Sequence, residues 1–74
     1  MPPLPIVSGA EVERALGKLG FDRASQRGSH VKLRHADGRV AIVPMHRELK
    51  RGTLASVLRQ AGIDAAALIA ALGT

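Results

Sequence analysis

Residues 28–43, Gly28-Ser29-His30-Val31-Lys32-Leu33-Arg34-His35-Ala36-Asp37-Gly38-Arg39-Val40-Ala41-Ile42-Val43, decide how the rest of the chain reads. Val31 and Leu33 alternate with His30, Lys32 and Arg34. That is the period of a half-buried strand, in which successive side chains point to opposite faces. Asp37-Gly38 is a residue pair favoured in tight hairpin turns, so residues 39–43 form the return strand. A two-residue loop there pairs Ala36 with Arg39, His35 with Val40, Leu33 with Ile42 and Val31 with Pro44. The expected core face is then Val31, Leu33, Val40 and Ile42. The other face carries His30, Lys32 and Arg34 as a cationic row, and His30 falls opposite Met45, next to His46.

Working back from the hairpin, residues 21–27 read as a strand of low hydrophobicity, hence an edge, returned by a turn at Gly28. Before it lies a helix with a full set of start signals. Ser8 is the N-cap, Glu11 closes a capping box three residues on, and Val7 is placed to staple against Val12. Val12, Ala15, Leu16 and Leu19 make its apolar stripe, and Gly20 ends it as a left-handed cap. Residues 1–7 are a proline-rich, extended lead-in.

Working forward, Pro44 ends the ladder and residues 45–50 form a basic loop. Leu54, Val57, Leu58 and Ala61 repeat at helical spacing, which predicts a helix over 51–61 stopped by Gly62. Asp64 caps a short alanine-rich helix whose apolar contacts are Leu68, Ile69 and Leu72, ended by Gly73. The fold class is α+β: α-β-β-β-α with a three-stranded antiparallel sheet and a short extra C-terminal helix, one domain over residues 1–74.

A chain of 74 residues buries only roughly 60% of its unfolded surface, so a functional site is expected on an open sheet face or at a helix end. There is no cysteine, which removes disulfides and thiolate chemistry and fits a reducing compartment. No apolar run is long enough to span a bilayer and the start does not read as a signal peptide, so the expectation is a soluble, cytoplasmic protein without a membrane partner. The net charge is +5. Residues 23–51 hold Arg23, Arg27, Lys32, Arg34, Arg39, Arg47, Lys50 and Arg51 against Asp37 and Glu48, together with all three histidines. So localised a basic footprint points to a polyanion, RNA or DNA, as partner.

Among candidate chemical groups His30 leads. Cleaving RNA without a metal requires a base for the ribose 2′-hydroxyl proton and cations to offset charge developing on phosphorus. A neutral imidazole beside Lys32 and Arg34 supplies both. The same spacing also describes a solvent-facing histidine in a purely binding surface. His46 is placed to protonate a leaving oxygen or simply to touch phosphate or solvent. His35 points to the apolar face and reads as structural. A metal site fits poorly, because His30 and His35 face opposite sides of one strand and no cysteine or carboxylate cluster completes a ligand set. Ser29 has no partner for a triad, and the glycines match no nucleotide-binding loop. Phe21 is the single aromatic residue, which weighs against a base-stacking platform. Lys50 and Arg51 flank the first turn of the 51–61 helix, a plausible seat for an anion.

Several short motifs occur in a familiar order: Leu19-Gly20-Phe21, Arg27-Gly28-Ser29-His30 leading into a basic strand, Val43-Pro44-Met45-His46, Gly52-Thr53-Leu54, and residues 58–63 (Leu-Arg-Gln-Ala-Gly-Ile). Together they resemble the HicA (YcfA-like) toxins. The resemblance covers residues from about 5 to 63 and implies a fold similar to the double-stranded-RNA-binding domain. It also implies an mRNA interferase, the toxin of a type II toxin–antitoxin pair, that works without a metal cofactor and arrests translation. The family's catalytic histidine maps to His30, and a HicB-type antitoxin is expected to cover that face. The expected site is therefore His30 as general base with His46 as a candidate assistant, and Arg27, Lys32, Arg34, Lys50 and Arg51 as RNA contacts. The alternatives are a non-catalytic RNA-binding module using the same face, or a small DNA-binding accessory protein, for which no recognition helix stands out. The alanine-rich tail from Asp64 departs from the family pattern.

Overall fold

The structure is a computed structural model that describes residues 3–73; Met1 and Pro2 of the lead-in, and Thr74, lie outside the described residues. The elements follow the order α1 (Gly9–Lys18), β1 (Phe21–Arg27), β2 (His30–His35), β3 (Val40–Pro44), α2 (Arg51–Ala61) and α3 (Ala65–Leu72). The strands make one antiparallel sheet in the order β1-β2-β3, so the strand bearing His30 is central.

α1 starts where its capping signals lie. The Ser8 hydroxyl accepts from the Glu11 amide at 3.0 Å, and the Glu11 carboxylate accepts from the Ser8 amide at 2.9 Å, the reciprocal capping box. That second bond holds the Glu11 carboxyl below its usual range. Gly9, the first helical residue, packs so closely on the exit of β3 that a Cβ there would lie 2.0 Å from the Pro44 carbonyl oxygen. The Gly9 amide donates to the His46 carbonyl at 2.9 Å and the Leu49 amide to Val7 at 2.9 Å, which ties the loop after β3 to the start of α1.

Two expectations are overturned: Ile69, expected as an apolar contact of α3, is exposed while Ala65, Leu68 and Ala71 are buried, and the hairpin register is shifted. Across the β2–β3 ladder His30 pairs with Pro44, Val31 with Val43, Lys32 with Ile42, Leu33 with Ala41 and Arg34 with Val40. This is one residue out of the register that a two-residue Asp37-Gly38 loop dictates. The cause is in the turn. A two-residue loop of the kind that Asp-Gly favours needs positive φ at both central residues. Here Gly38 alone adopts it, at +100°, and no non-glycine residue does. The loop is instead the three residues 36–38: the Gly38 amide donates to the His35 carbonyl and the His35 amide to the Arg39 carbonyl, both at 2.9 Å. A one-residue slip turns every side chain of the strand over. Ala41 and Val43 therefore enter the core, while Ile42 lies on the outer face, 37% exposed, and Val40 is only partly buried. Correspondingly His30 stands opposite Pro44 and not Met45.

The core gathers Val31, Leu33, Ala41 and Val43 from the sheet with Val12, Leu16, Leu54 and Val57 from the helices. β1 contributes Phe21 alone; its other residues are exposed, and a bulge at Ala24 interrupts its pairing with β2. α2 packs along β3, and α3 packs on α1 through a fully buried Leu68, with the Lys18 ammonium donating to the Ala71 carbonyl at 3.0 Å. The alanine-rich tail is thus part of the hydrophobic core. Among the described residues no single helix is long and apolar enough to cross a membrane.

Candidate functional site

Among the described residues no polar or charged side chain is buried, so chemistry here belongs to the surface. His30 opens β2 immediately after the Gly28-Ser29 turn, in which Gly28 takes a φ of +58°. Alternation along β2 buries Val31 and Leu33 and turns His30, Lys32 and Arg34 outward. The neighbouring strands complete the surroundings. Arg27 of β1 pairs directly with His30, and Ser25 with Lys32; on the other side stand Pro44 and Ile42. Residues paired in this way share a face, with Cβ atoms about 5 Å apart.

His30 and Ile42 together form a low ridge. On the β1 side lies a depression of about 380 Å³ lined by Ser25, Arg27 and Lys32 as well as the two ridge residues. On the α2 side lies a second, of about 390 Å³, whose walls include Gly52, Thr53, Ser56 and Gln60. The first is cationic and the second has no charged lining side chain. His30 is the titratable side chain that borders both.

The remaining basic residues divide by what holds them. Arg34 is two side-chain steps along the strand from His30, roughly 13 Å away at about 3.3 Å per residue, and faces Asp22 across the β1–β2 ladder. Lys50 and Arg51 line neither depression; both border a groove with Leu4, Pro5 and Ile6. Arg23 makes a bidentate pair with Glu13, 2.7 Å at each contact, and this guanidinium holds the Glu13 carboxyl below its usual range. Arg39 is a fastener. Its guanidinium lies 5.2 Å from the Phe21 ring centroid, donates to the Ala61 carbonyl at the end of α2 at 2.6 Å, and pairs with Asp37 at 2.8 Å. The Arg39 amide, then its guanidinium, lower the Asp37 pKa. Two arginines of the basic stretch are thereby spent on the fold, a division that spacing alone does not reveal.

His35 packs edge-on against Phe21, ring centroids 5.1 Å apart, and its Nδ1 accepts from the Asp37 amide at 3.1 Å, a structural role in the turn. His46 is exposed, its backbone carbonyl fixed by Gly9, and its side chain lines neither depression that His30 borders. Among the described residues no three histidine, cysteine or acidic side chains cluster as a metal site. Sequence reasoning missed Ile42, Ser56 and Gln60 as neighbours of His30. The register of a two-residue turn places Ile42 in the core, and helical periodicity says only that Ser56 and Gln60 face away from the apolar stripe.

The architecture and the outward histidine on a basic strand define a small α+β protein with an open basic face. The family described as "HicA toxin of bacterial toxin-antitoxin" matches residues 9–63. The chain belongs to this family, and membership implies an antitoxin as partner. No curated protein matches the chain. The match stops before α3, whose packing on α1 is nevertheless integral to the core.

Proposed function

We propose that this protein is an endoribonuclease that cleaves mRNA in the cytoplasm with His30 as general base and without a metal, arresting translation until an antitoxin of the HicB type covers the His30 face. One observation carries the reading: the exposed imidazole lies on the boundary between a cationic depression and an uncharged one. An RNA strand has the same division, with an anionic backbone on one side of the ribose and a neutral base on the other.

In this mechanism the unprotonated imidazole nitrogen takes the 2′-hydroxyl proton. The 2′-oxygen attacks the adjacent phosphorus, and the bond to the 5′-oxygen breaks. The leaving oxygen takes a proton, for which His46 is the candidate donor, and the products are a 2′,3′-cyclic phosphate and a free 5′-hydroxyl. Arg27 and Lys32 offset the charge that builds on the non-bridging oxygens. Arg34 holds a neighbouring phosphate along the strand, and Lys50 and Arg51 hold backbone further out, beyond the start of α2.

The test is purified protein with end-labelled single-stranded RNA in the presence of chelator, products resolved by size, alongside His30→Ala. Salt-sensitive binding with no products from the wild type would return the chain to the other reading, a basic RNA-binding module.

A further inference from the structure

The uncharged depression between His30 and α2 has a wall whose hydrogen bonding is fixed. The Ile42 amide, on the free edge of β3, donates to Gln60 Oε1 at 2.8 Å, and Gln60 Nε2 donates to the Ser56 hydroxyl oxygen at 3.2 Å. The first bond sets which way the Gln60 amide points, because a backbone N–H can only meet its oxygen. What remains for a ligand is one fixed donor, the second Nε2 hydrogen of Gln60, beside the hydroxyls of Ser56 and Thr53, which turn to donate or to accept. Ile42 gives the same depression an exposed apolar edge. The depression is open to solvent and about 390 Å³ in volume.

We propose that this depression is a nucleobase subsite for the nucleotide whose ribose reaches His30, and that the fixed donor of Gln60 favours guanine over adenine there. The inference rests on the ribonuclease reading and deepens it. Guanine presents two adjacent acceptors, O6 and N7, on one edge, whereas adenine offers an acceptor beside a donor. A glutamine recognises adenine with its oxygen and nitrogen together, and here Gln60 has turned its oxygen to the strand. The absence of charge suits a base, and the cationic depression across the ridge is left for phosphate.

The experiment uses the intact protein, isotopically labelled, titrated with tetranucleotides whose riboses carry 2′-fluorine and so have no hydroxyl to attack. Four base versions and an abasic version are compared by amide chemical shifts. The guanine version is expected to move Thr53, Ser56 and Gln60 at the lowest concentration, and the abasic version to move only Arg27 and Lys32. Ser56→Ala, which keeps a good helix former, is expected to reduce the guanine advantage by about 2- to 10-fold, the factor for one neutral hydrogen bond. Equal response to all bases, or no response of the α2 wall, overturns the subsite. The ribonuclease reading fails separately, if unmodified RNA is not cut.

Discussion

Lys32 faces Ile42 across the β2–β3 ladder, which sets an isoleucine on the outer face of the sheet beside His30. The same register sends Leu33, 1% exposed, and its partner Ala41 to the core. Ile42→Thr is therefore expected to lower unfolding free energy by about 1 kcal/mol or less, while Leu33→Ala costs about 2–5 kcal/mol. Denaturant titration of the two variants checks this. A large loss in the Ile42 variant would mean that the strand is paired one residue over.

Arg39 and Lys32 both belong to the basic stretch, yet they are expected to respond oppositely. Arg39→Ala removes a cation over Phe21 and a bond to the Ala61 carbonyl, so stability falls by about 1–2 kcal/mol while the salt dependence of RNA binding stays as it was. Lys32→Ala leaves stability unchanged and lowers the slope of log K against log salt by about 0.7, the value for one lost single-strand phosphate contact. Thermal melts and binding at several salt concentrations separate the two.

The carboxylates give a prediction in pH. The Arg23 guanidinium lowers the Glu13 pKa, and the Arg39 amide and guanidinium lower that of Asp37. A pKa depressed in the folded state contributes stability that is complete above the ordinary carboxylate value, about 4, and is lost as pH falls through the lower folded value. Melting temperature is thus expected to drop on acidification below about pH 4. The drop should be shallower in Glu13→Gln, because the Arg23 pair no longer titrates. An identical acid profile in that variant would show that the pair contributes nothing measurable.

The three helices, three strands and the capping of α1 were legible because each rests on local signals: Ser8 with Glu11, the alternation of Val31 and Leu33, the spacing of Leu54, Val57 and Leu58. The outward position of His30 was legible for the same reason. The register of β3 was not, because it turns on the φ of Asp37, and Asp-Gly serves a two-residue loop and a three-residue one alike. That one ambiguity carried Ile42 to the wrong face and His30 toward Met45. The split of the arginines was also illegible: Arg23 and Arg39 look like Arg27 in sequence and differ only in which acid, ring or carbonyl the fold brings to them.

The most direct test is the rate at which wild-type protein and His30→Ala cut a labelled single-stranded RNA in chelator, with His46→Ala as a third arm. The wild type is expected to leave 2′,3′-cyclic phosphate ends. His30→Ala is expected to slow cleavage by about 10²-fold or more at unchanged melting temperature, and His46→Ala to slow it while sparing RNA affinity. Wild-type cleavage by His30→Ala, in a preparation free of contaminating nuclease, would contradict the assignment of the base.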